Sequence, residues 1–294
     1  MHKRRISISE IVITVLLSGV ALACLIPVLN TIAISFSDKT SAALGRVFLW
    51  PVKFTTASYE PIWQEKQFMR SFMNSSFRVI LGGSINVLFC ILMAYPLSKN
   101  HRVFRMKNVY MWFIVFTMLF YGGLVPSFIL VKNIGLIDKI WALVLPEGVS
   151  VFNVIILMNY FRTIPESLEE AAYMDGANPI YILWKIFVPL GKPAIAVIAL
   201  FSVVWHWNEF FFGRIFINTP IKMPLQTYIQ SLNVNLTSAD MQAMSPEEIV
   251  RKLERSSLTF NSAKVTVSMV PMLIIYPFLQ KYFVSGMVMG AVKE

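Results

Sequence analysis

Residues Thr163 to Pro193 read TIPESLEEAAYMDGANPIYILWKIFVPLGKP, a polar segment that separates two long apolar runs. Thr163 followed by Glu166 fits the capping-box pattern, which predicts that a helix begins here. Gly176 interrupts the helical pattern about three turns later. The segment is therefore predicted to contain a first helix that ends at a glycine hinge.

A second helix is predicted directly after the hinge. Asn178 suits an N-cap and Pro179 suits a first turn, while Pro189 is expected to end the helix. Apolar residues recur every three or four positions between these points, at Ile180, Leu183, Trp184 and Phe187. The whole segment is thus predicted to be a folded helix pair rather than a flexible loop.

The composition of the chain indicates a membrane protein. Of its 294 residues, 56% are hydrophobic and only 14% are charged, and the mean hydropathy of +0.63 exceeds what a soluble domain tolerates. The net charge of +10 comes from basic residues in short segments between apolar runs, where they set orientation in a lipid bilayer. The chain is therefore predicted to be an all-α polytopic membrane protein that binds no nucleic acid.

Six apolar runs are near the roughly 20 residues that a helix needs to cross hydrocarbon. The predicted spans cover about residues 11–37, 79–98, 108–131, 141–161, 193–212 and 265–283. Clusters of Lys and Arg occur in residues 3–5 and 99–107, so the positive-inside rule assigns both segments to the cytoplasm. Both termini and the Thr163 segment are then predicted to be cytoplasmic.

The predicted spans define the organisation of the chain. Residues 1–37 are assigned to an N-terminal tail and first transmembrane helix, residues 38–78 to an extracytoplasmic loop, and residues 79–294 to the core. The core contains the helix pair at about 163–189 and an extracytoplasmic loop at 213–264. Within that loop, Pro246 to Arg255 is a charged helical candidate.

Arg78, Glu147 and Glu209 are ionisable residues within or at the edges of predicted spans. Such residues are functional candidates because they cost about 2.5–3.5 kcal/mol at a helix centre. All three map near the outer ends, so snorkelling or mutual pairing explains them as well as a translocation path does. The path candidates are Glu147, Trp207, Asn208 and Glu209. Trp205 and Trp207 suit sugar stacking, although packing at the interface is favoured.

No catalytic or metal-binding cluster is evident in the sequence. Cys24 and Cys90 lie in apolar runs, and the three histidines, at positions 2, 101 and 206, are scattered. The stretch Gly191-Lys192-Pro193 lacks the upstream glycine and the hydroxyl residue of a phosphate-binding loop. The chain is therefore expected to have no catalytic residues, no metal and no cofactor of its own.

The sequence Glu-Ala-Ala begins at Glu170 and is followed, after three residues, by Gly176. Nine residues separate Gly176 from Ile186, and one residue separates Ile186 from Val188 and Pro189. This spacing resembles the EAA motif of ABC-importer membrane subunits. Valine at 188 replaces the usual leucine. The stretches EEAAYMDGANP, KIFVPLGKPAIAVIALF and Trp-Asn-Glu at 207–209 resemble the carbohydrate-uptake branch, as in the second permease of the maltose importer. The ending YPFLQKYFVSGMVMGAVKE resembles LplC-type permeases, a group that includes importers of alginate and pectic oligosaccharides.

This resemblance covers roughly residues 70–294 and implies the permease fold of a type I ABC importer in a bacterial inner membrane. It implies that the first helix of the pair is a coupling helix that docks on an ATPase subunit. By resemblance the coupling residues are Glu169, Glu170, Ala171, Ala172, Met174, Asp175, Gly176, Ile186 and Pro189.

The resemblance also implies a set of partners. These are a second homologous permease, two ATPase subunits that bind ATP and Mg²⁺, and an extracytoplasmic solute-binding protein. The expected cargo is an oligosaccharide, and the LplC-like ending favours acidic fragments that contain uronate. The alternative is an ion-coupled secondary transporter, which would need paired broken helices and buried ion ligands in repeated halves.

Overall fold

A computed structural model describes residues 8–232 and 258–291, with side chains described for residues 9–231 and 258–277. All regular elements in these ranges are helical, which confirms the predicted all-α class. The predicted helix Pro246 to Arg255 lies outside the described residues, as do residues 233–257 of the predicted loop 213–264.

The helices follow one another in this order: α1 Ile8–Ser35, α2 Lys39–Ala43, α3 Glu60–Gln64, α4 Lys66–Ser98, α5 Lys107–Leu119, α6 Leu124–Asn133, α7 Trp141–Val144, α8 Val151–Phe161, α9 Glu166–Met174, α10 Pro179–Ile182, α11 Val188–Leu190, α12 Lys192–Asn208, α13 Phe211–Phe216, α14 Leu225–Leu232 and α15 Leu258–Ala291. A π-helical turn, Leu183–Phe187, joins α10 to α11, and a short 3₁₀ helix covers Pro220–Lys222.

Three predicted spans correspond to single long helices. Within the described residues, α1, α4 and α15 are long and apolar enough to cross a membrane. They contain the predicted first, second and sixth spans. Helix α4 begins at Lys66 rather than near residue 79, so the non-helical part of the predicted loop 38–78 is shorter than expected.

Helix α12 covers most of the predicted fifth span, whereas the third and fourth predicted spans are interrupted. The third is split into α5 and α6, which meet at 110°, with Gly123 at the bend in a left-handed conformation (φ 90°). The fourth is split into the four residues of α7 and the eleven of α8, with Pro146 and Gly148 between them. The prediction of two continuous helices was therefore wrong, because proline and glycine end each helix inside an otherwise apolar run.

The described residues form two compact units. Residues up to Met69, together with those between Ile229 and Val270, form the first unit, which contains a 2.7 Å ion pair between Lys264 and Glu65. Residues from Arg70 to Tyr228, and those from Pro271 onward, form the second unit. The main core of the second unit joins α4, α8, the α10–α11 region and α12 through Cys90, Ala94, Leu157, Phe161, Ile182 and Ile198.

Candidate functional site: the segment between α8 and α12

Helix α9 begins later than the capping box predicts. The Thr163 hydroxyl donates to the carbonyl of Tyr160 at 2.7 Å, and the N-cap position is held by Pro165, which makes no side-chain cap. Ile164 precedes a proline, and such residues are disfavoured in helical conformation. Glu166 therefore occupies the first helical position, and the predicted Thr163–Glu166 capping box does not form.

The end of α9 confirms the predicted glycine hinge. Gly176 has φ of 79°, and its backbone N–H donates to Tyr173 O at 3.0 Å. The next N–H, of Ala177, donates to Ala172 O at 2.9 Å, and both alanines pack against the core. This pair of bonds is a Schellman motif, which satisfies carbonyls at the end of the helix and turns the chain sharply.

The second predicted helix starts as expected but does not stop at the proline. Asn178 accepts a hydrogen bond from the backbone N–H of Tyr181 at 2.8 Å, which confirms its N-cap role. The π-helical turn at 183–187 precedes Pro189, and the helical path continues to Leu190. A wider turn accommodates a proline that lacks an N–H, so Pro189 reshapes the helix instead of ending it.

Gly191 provides the actual break before α12. A Cβ at this position would lie 2.6 Å from the Phe161 ring and 2.7 Å from the Phe187 carbonyl oxygen. The chain bends by 83° between the two helical stretches Pro179–Leu190 and Lys192–Asn208. Close packing of the bend on α8 therefore requires a residue without a side chain.

Glu169 and Lys99 tie α9 to the end of α4. The Lys99 ammonium lies 2.7 Å from the Glu169 carboxylate, and the two side chains are 9% and 13% exposed. The same ammonium lies 3.9 Å from the centroid of the Tyr95 ring and 3.8 Å from that of Phe187. Burial lowers the pKa of Lys99, and the Glu169 carboxylate partly offsets this effect. One cation thus joins α4, α9 and the π-helical turn.

The predicted coupling residues divide into two sets. Glu170, Ala171, Met174 and Asp175 are exposed, with Met174 87% exposed. Glu169, Ala172 and Ile186 are partly buried and face the rest of the chain. Helix α9 contains no fully buried residue. It is therefore a surface helix held by one ion pair, a few half-buried contacts and its two ends.

Of the three ionisable residues in the predicted spans, Arg78 and Glu209 pair with each other, which was one of the alternatives for them. The fully buried Arg78 lies 2.7 Å from the Glu209 carboxylate and donates to the backbone oxygens of Glu209 and Leu143 at 3.0 and 3.5 Å. Glu209 also accepts from Phe212 N at 2.6 Å. Arg78 therefore holds α4 against the ends of α7 and α12.

The remaining path candidates have different surroundings. Trp207 is 3% exposed and meets Phe72 edge to face at 5.7 Å, so it packs in the interior. Asn208 is exposed and lines an apolar cavity of about 790 Å³. Glu147 is half-buried beside a second cavity, described below.

Comparison with known proteins agrees with these features. A family model described as "Binding-protein-dependent transport system inner membrane component" matches residues 86–289. Protein LplC of Bacillus subtilis (strain 168) is 38% identical over 282 residues, which cover 94% of this chain and 92% of that protein. The polygalacturonan/rhamnogalacturonan transport system permease protein YtcP of the same organism is 36% identical over 273 residues, 93% of this chain and 94% of YtcP.

A solved structure extends the likeness to three dimensions. It is the crystal structure of a bacterial ABC transporter involved in the import of the acidic polysaccharide alginate. One of its chains matches with a TM-score of 0.84 at 35% identity, covering 96% of this chain and 99% of that one. The fold of this chain is therefore that of a transporter membrane subunit.

Proposed function

This chain belongs to the family of binding-protein-dependent transport system inner membrane components, and we propose that it is one permease subunit of an ABC importer for acidic oligosaccharides. It acts beside a second homologous permease, above two ATPase subunits and below an extracytoplasmic solute-binding protein. The chain has no catalytic residue and no cofactor, and ATP and Mg²⁺ bind in the ATPase subunits. The complex lies in the bacterial inner membrane, with both termini of this chain cytoplasmic.

The observation that carries this proposal is the exposed helix α9. Its outward residues Glu170, Ala171, Met174 and Asp175 offer two acids and two apolar side chains to another protein. Its inward residue Glu169 is bonded to Lys99 at the end of a 33-residue helix. A helix fixed at both ends and attached to a long span transmits a displacement, whereas a flexible loop absorbs it. Helix α9 is thus suited to couple closure of an ATPase to movement of the spans.

The cargo is proposed from the relatives. YtcP is a polygalacturonan/rhamnogalacturonan permease, and the solved relative belongs to an alginate importer. Polygalacturonan and alginate consist of sugars that carry carboxylates, and rhamnogalacturonan contains such sugars. We therefore expect the binding protein that works with this chain to select short uronate-containing oligosaccharides. An ion-coupled transporter is not favoured, because the family acts with binding proteins.

Purification and reconstitution test the proposal. An affinity-tagged chain should recover two permeases and ATPase subunits from native membranes, and recovery without any ATPase would reject the importer assignment. Proteoliposomes with the binding protein should take up oligogalacturonate or oligoalginate when ATP is present. Maltotriose, a neutral oligosaccharide, serves as the cargo control, and preferred uptake of maltotriose would reject the acidic cargo.

A further inference from the structure

A cavity of about 570 Å³ lies beside the break between α7 and α8. Its volume falls in the range of about 300–1,000 Å³ that is typical of small-molecule sites. Helices α4, α8 and α12 each contribute polar side chains to its wall, at Asn86, Asn153 and Ser202. Polar side chains are rare in spans as apolar as these. Those that occur normally face a bundle interior or a water-filled cavity, so these three side chains indicate a candidate site.

These three polar residues form one hydrogen-bonded network. The Ser202 hydroxyl donates to Asn86 Oδ1 at 2.7 Å, and Asn153 Nδ2 lies 3.2 Å from the same oxygen and 3.3 Å from Ser202 Oγ. Asn86 Nδ2 donates to the backbone oxygen of Glu147 at 3.3 Å. The network joins three helices to the loop that carries Glu147. It fixes the position of that loop on the cavity wall.

One further group on the wall, Glu147, has acceptor atoms available. The Glu147 carboxylate forms no salt bridge among the residues that the structure describes, although Arg78 and Glu209 pair nearby. His206 also lines the cavity, but it is 1% exposed and its Nδ1 has almost no accessible surface, so this nitrogen is closed to a ligand. Glu147 is half-buried, so a hydroxyl donor from a ligand would stabilise its carboxylate.

Aromatic faces complete the cavity. Trp205 lines the cavity and is 51% exposed, and Phe152 and Phe201 lie on the wall with ring centroids 6.1 Å apart. A sugar ring presents hydroxyls at its rim and C–H groups on its faces. A carboxylate acceptor suits the rim, and an indole face suits the C–H groups. The wall therefore combines the two kinds of contact that a pyranose ring needs.

We propose that the cavity bounded by Glu147, Trp205 and His206 is a saccharide subsite on the translocation path, supplied by this chain itself. The proposal rests on the proposed function, since it assumes that the importer carries an oligosaccharide. Glu147 accepts from ring hydroxyls, and Trp205 stacks on the ring. The carboxylates of an acidic oligosaccharide face away from Glu147, because like charges repel in a partly buried site.

Trp205 gives the sharpest transport test. In proteoliposomes with the binding protein and oligogalacturonate or oligoalginate, Trp205→Ala should lower uptake at least tenfold or raise KM by that factor. Trp205→Phe should retain most of the uptake, because it keeps an aromatic face. Binding-protein-stimulated ATPase activity, measured for each preparation, reports whether the variant complex is assembled. Trp112→Ala, on the 71% exposed Trp112 of α5, is the matched control.

The outcomes separate the subsite from the proposed function. If wild type takes up no oligosaccharide of any kind, the proposed function fails whatever the variants do. If wild type transports but Trp205→Ala and Glu147→Gln both keep its uptake and KM, the subsite is rejected. Loss of the second permease from purified Trp205→Ala would show that this wall is an interface between permeases, which also overturns the proposal.

A labelling experiment tests occupancy without transport. Val149 lines the cavity and is 39% exposed, so a Val149→Cys variant made with Cys24→Ser carries one accessible thiol among the described residues, since Cys90 is buried. In the detergent-solubilised complex, millimolar oligogalacturonate or oligoalginate should slow maleimide labelling of this thiol at least fivefold. A Val109→Cys control on the 62% exposed Val109 should label at an unchanged rate. Equal rates at position 149 with and without saccharide would reject the subsite.

Discussion

Two ion pairs, one toward each end of α4, differ in what they hold. Arg78–Glu209 and Lys99–Glu169 both have a nitrogen–oxygen distance of 2.7 Å. Arg78 and Lys99 are separated by about 30 Å along the helix, close to the thickness of a bilayer core. Arg78 is completely buried and also donates to two backbone oxygens where helices break. Lys99 is slightly exposed and bonds to a surface helix.

The difference separates a joint that maintains the fold from a contact that transmits movement. Removing one partner of a buried pair leaves an uncompensated charge, so the Arg78 pair must stay closed while the protein is folded. The Lys99 pair also contacts two aromatic rings, but water reaches it, and α9 has no buried residue to resist displacement. We therefore expect Arg78 variants to lose stability and Lys99 variants to lose coupling.

The largest effect should come from Arg78→Met. This variant leaves Glu209 buried without its partner and should destabilise the chain by about 3–5 kcal/mol. Thermal unfolding of the detergent-solubilised chain measures it, with Arg214→Met at an exposed position as the control. Combining Arg78→Met with Glu209→Gln should recover part of the loss, because the uncompensated charge is removed. A wild-type Tm for Arg78→Met alone would contradict the structural role of this pair.

Lys99→Met should have a smaller effect on stability and a larger one on coupling. A hydrogen bond to a charged group is worth about 1.5–3 kcal/mol, and slight exposure places this pair toward the lower value. Oligosaccharide uptake per ATP hydrolysed should fall several-fold, whereas exposed Lys132→Met should leave it unchanged. The double variant Lys99→Glu, Glu169→Lys exchanges the two charges and should restore part of the uptake per ATP hydrolysed. Equal ratios in wild type and Lys99→Met would show that α9 does not act through this pair.

Gly176→Val tests the hinge at the other end of α9. A Cβ at Gly176 would meet no atom within 4 Å, so the effect isolates backbone strain at φ 79°. A left-handed conformation costs an ordinary residue about 1–2 kcal/mol, and asparagine less. Uptake per ATP should therefore decrease in the order Gly176, Gly176→Asn, Gly176→Val. Identical ratios for all three proteins would exclude a hinge role.

The smallest effect should come from an exposed pair, Asp138–Lys222, whose side chains are 24% and 52% exposed. Hydrogen bonds from Lys222 and Thr219 hold the pKa of Asp138 below its usual range. The ion pair therefore stabilises the fold above the unfolded pKa of about 3.9, and this contribution is lost as the pH falls further. Asp138→Asn should cost at most about 1 kcal/mol at pH 7. Its Tm difference from wild type should shrink below pH 4, and a difference that grows there would contradict this assignment.

Local patterns in the sequence were enough for several features. Gly176 at the hinge and Asn178 at the second helix start were predicted correctly, because a positive φ and an N-cap depend on neighbouring backbone atoms. The start at Thr163 and the stop at Pro189 were predicted wrongly. In the first case Pro165 disfavours helix at Ile164, and in the second a π-helical turn accommodates the proline.

Local sequence patterns do not identify which residues form the ion pairs. The cations near Lys99 and the acids near Glu169 were visible as charge clusters, but the two partners are separated by 70 residues. Arg78 and Glu209 were recognised as unusual, and mutual pairing was one of three alternatives, beside snorkelling and a translocation path, for residues 131 positions apart. The polar network of Asn86, Asn153 and Ser202 was missed, although each is a polar residue in an apolar run.

The sequence by itself determined the membrane class, the approximate spans and the helix pair between α8 and α12, because hydropathy and turn chemistry act over a few neighbouring residues. Only the tertiary structure decided which charges meet and which face of α9 remains open. Those features depend on how separate helices pack, since burial makes an unpaired charge costly and selects the partner that lies within reach. The segment Thr163 to Pro193 shows both levels: its turns follow from its own residues, and its attachment depends on Lys99.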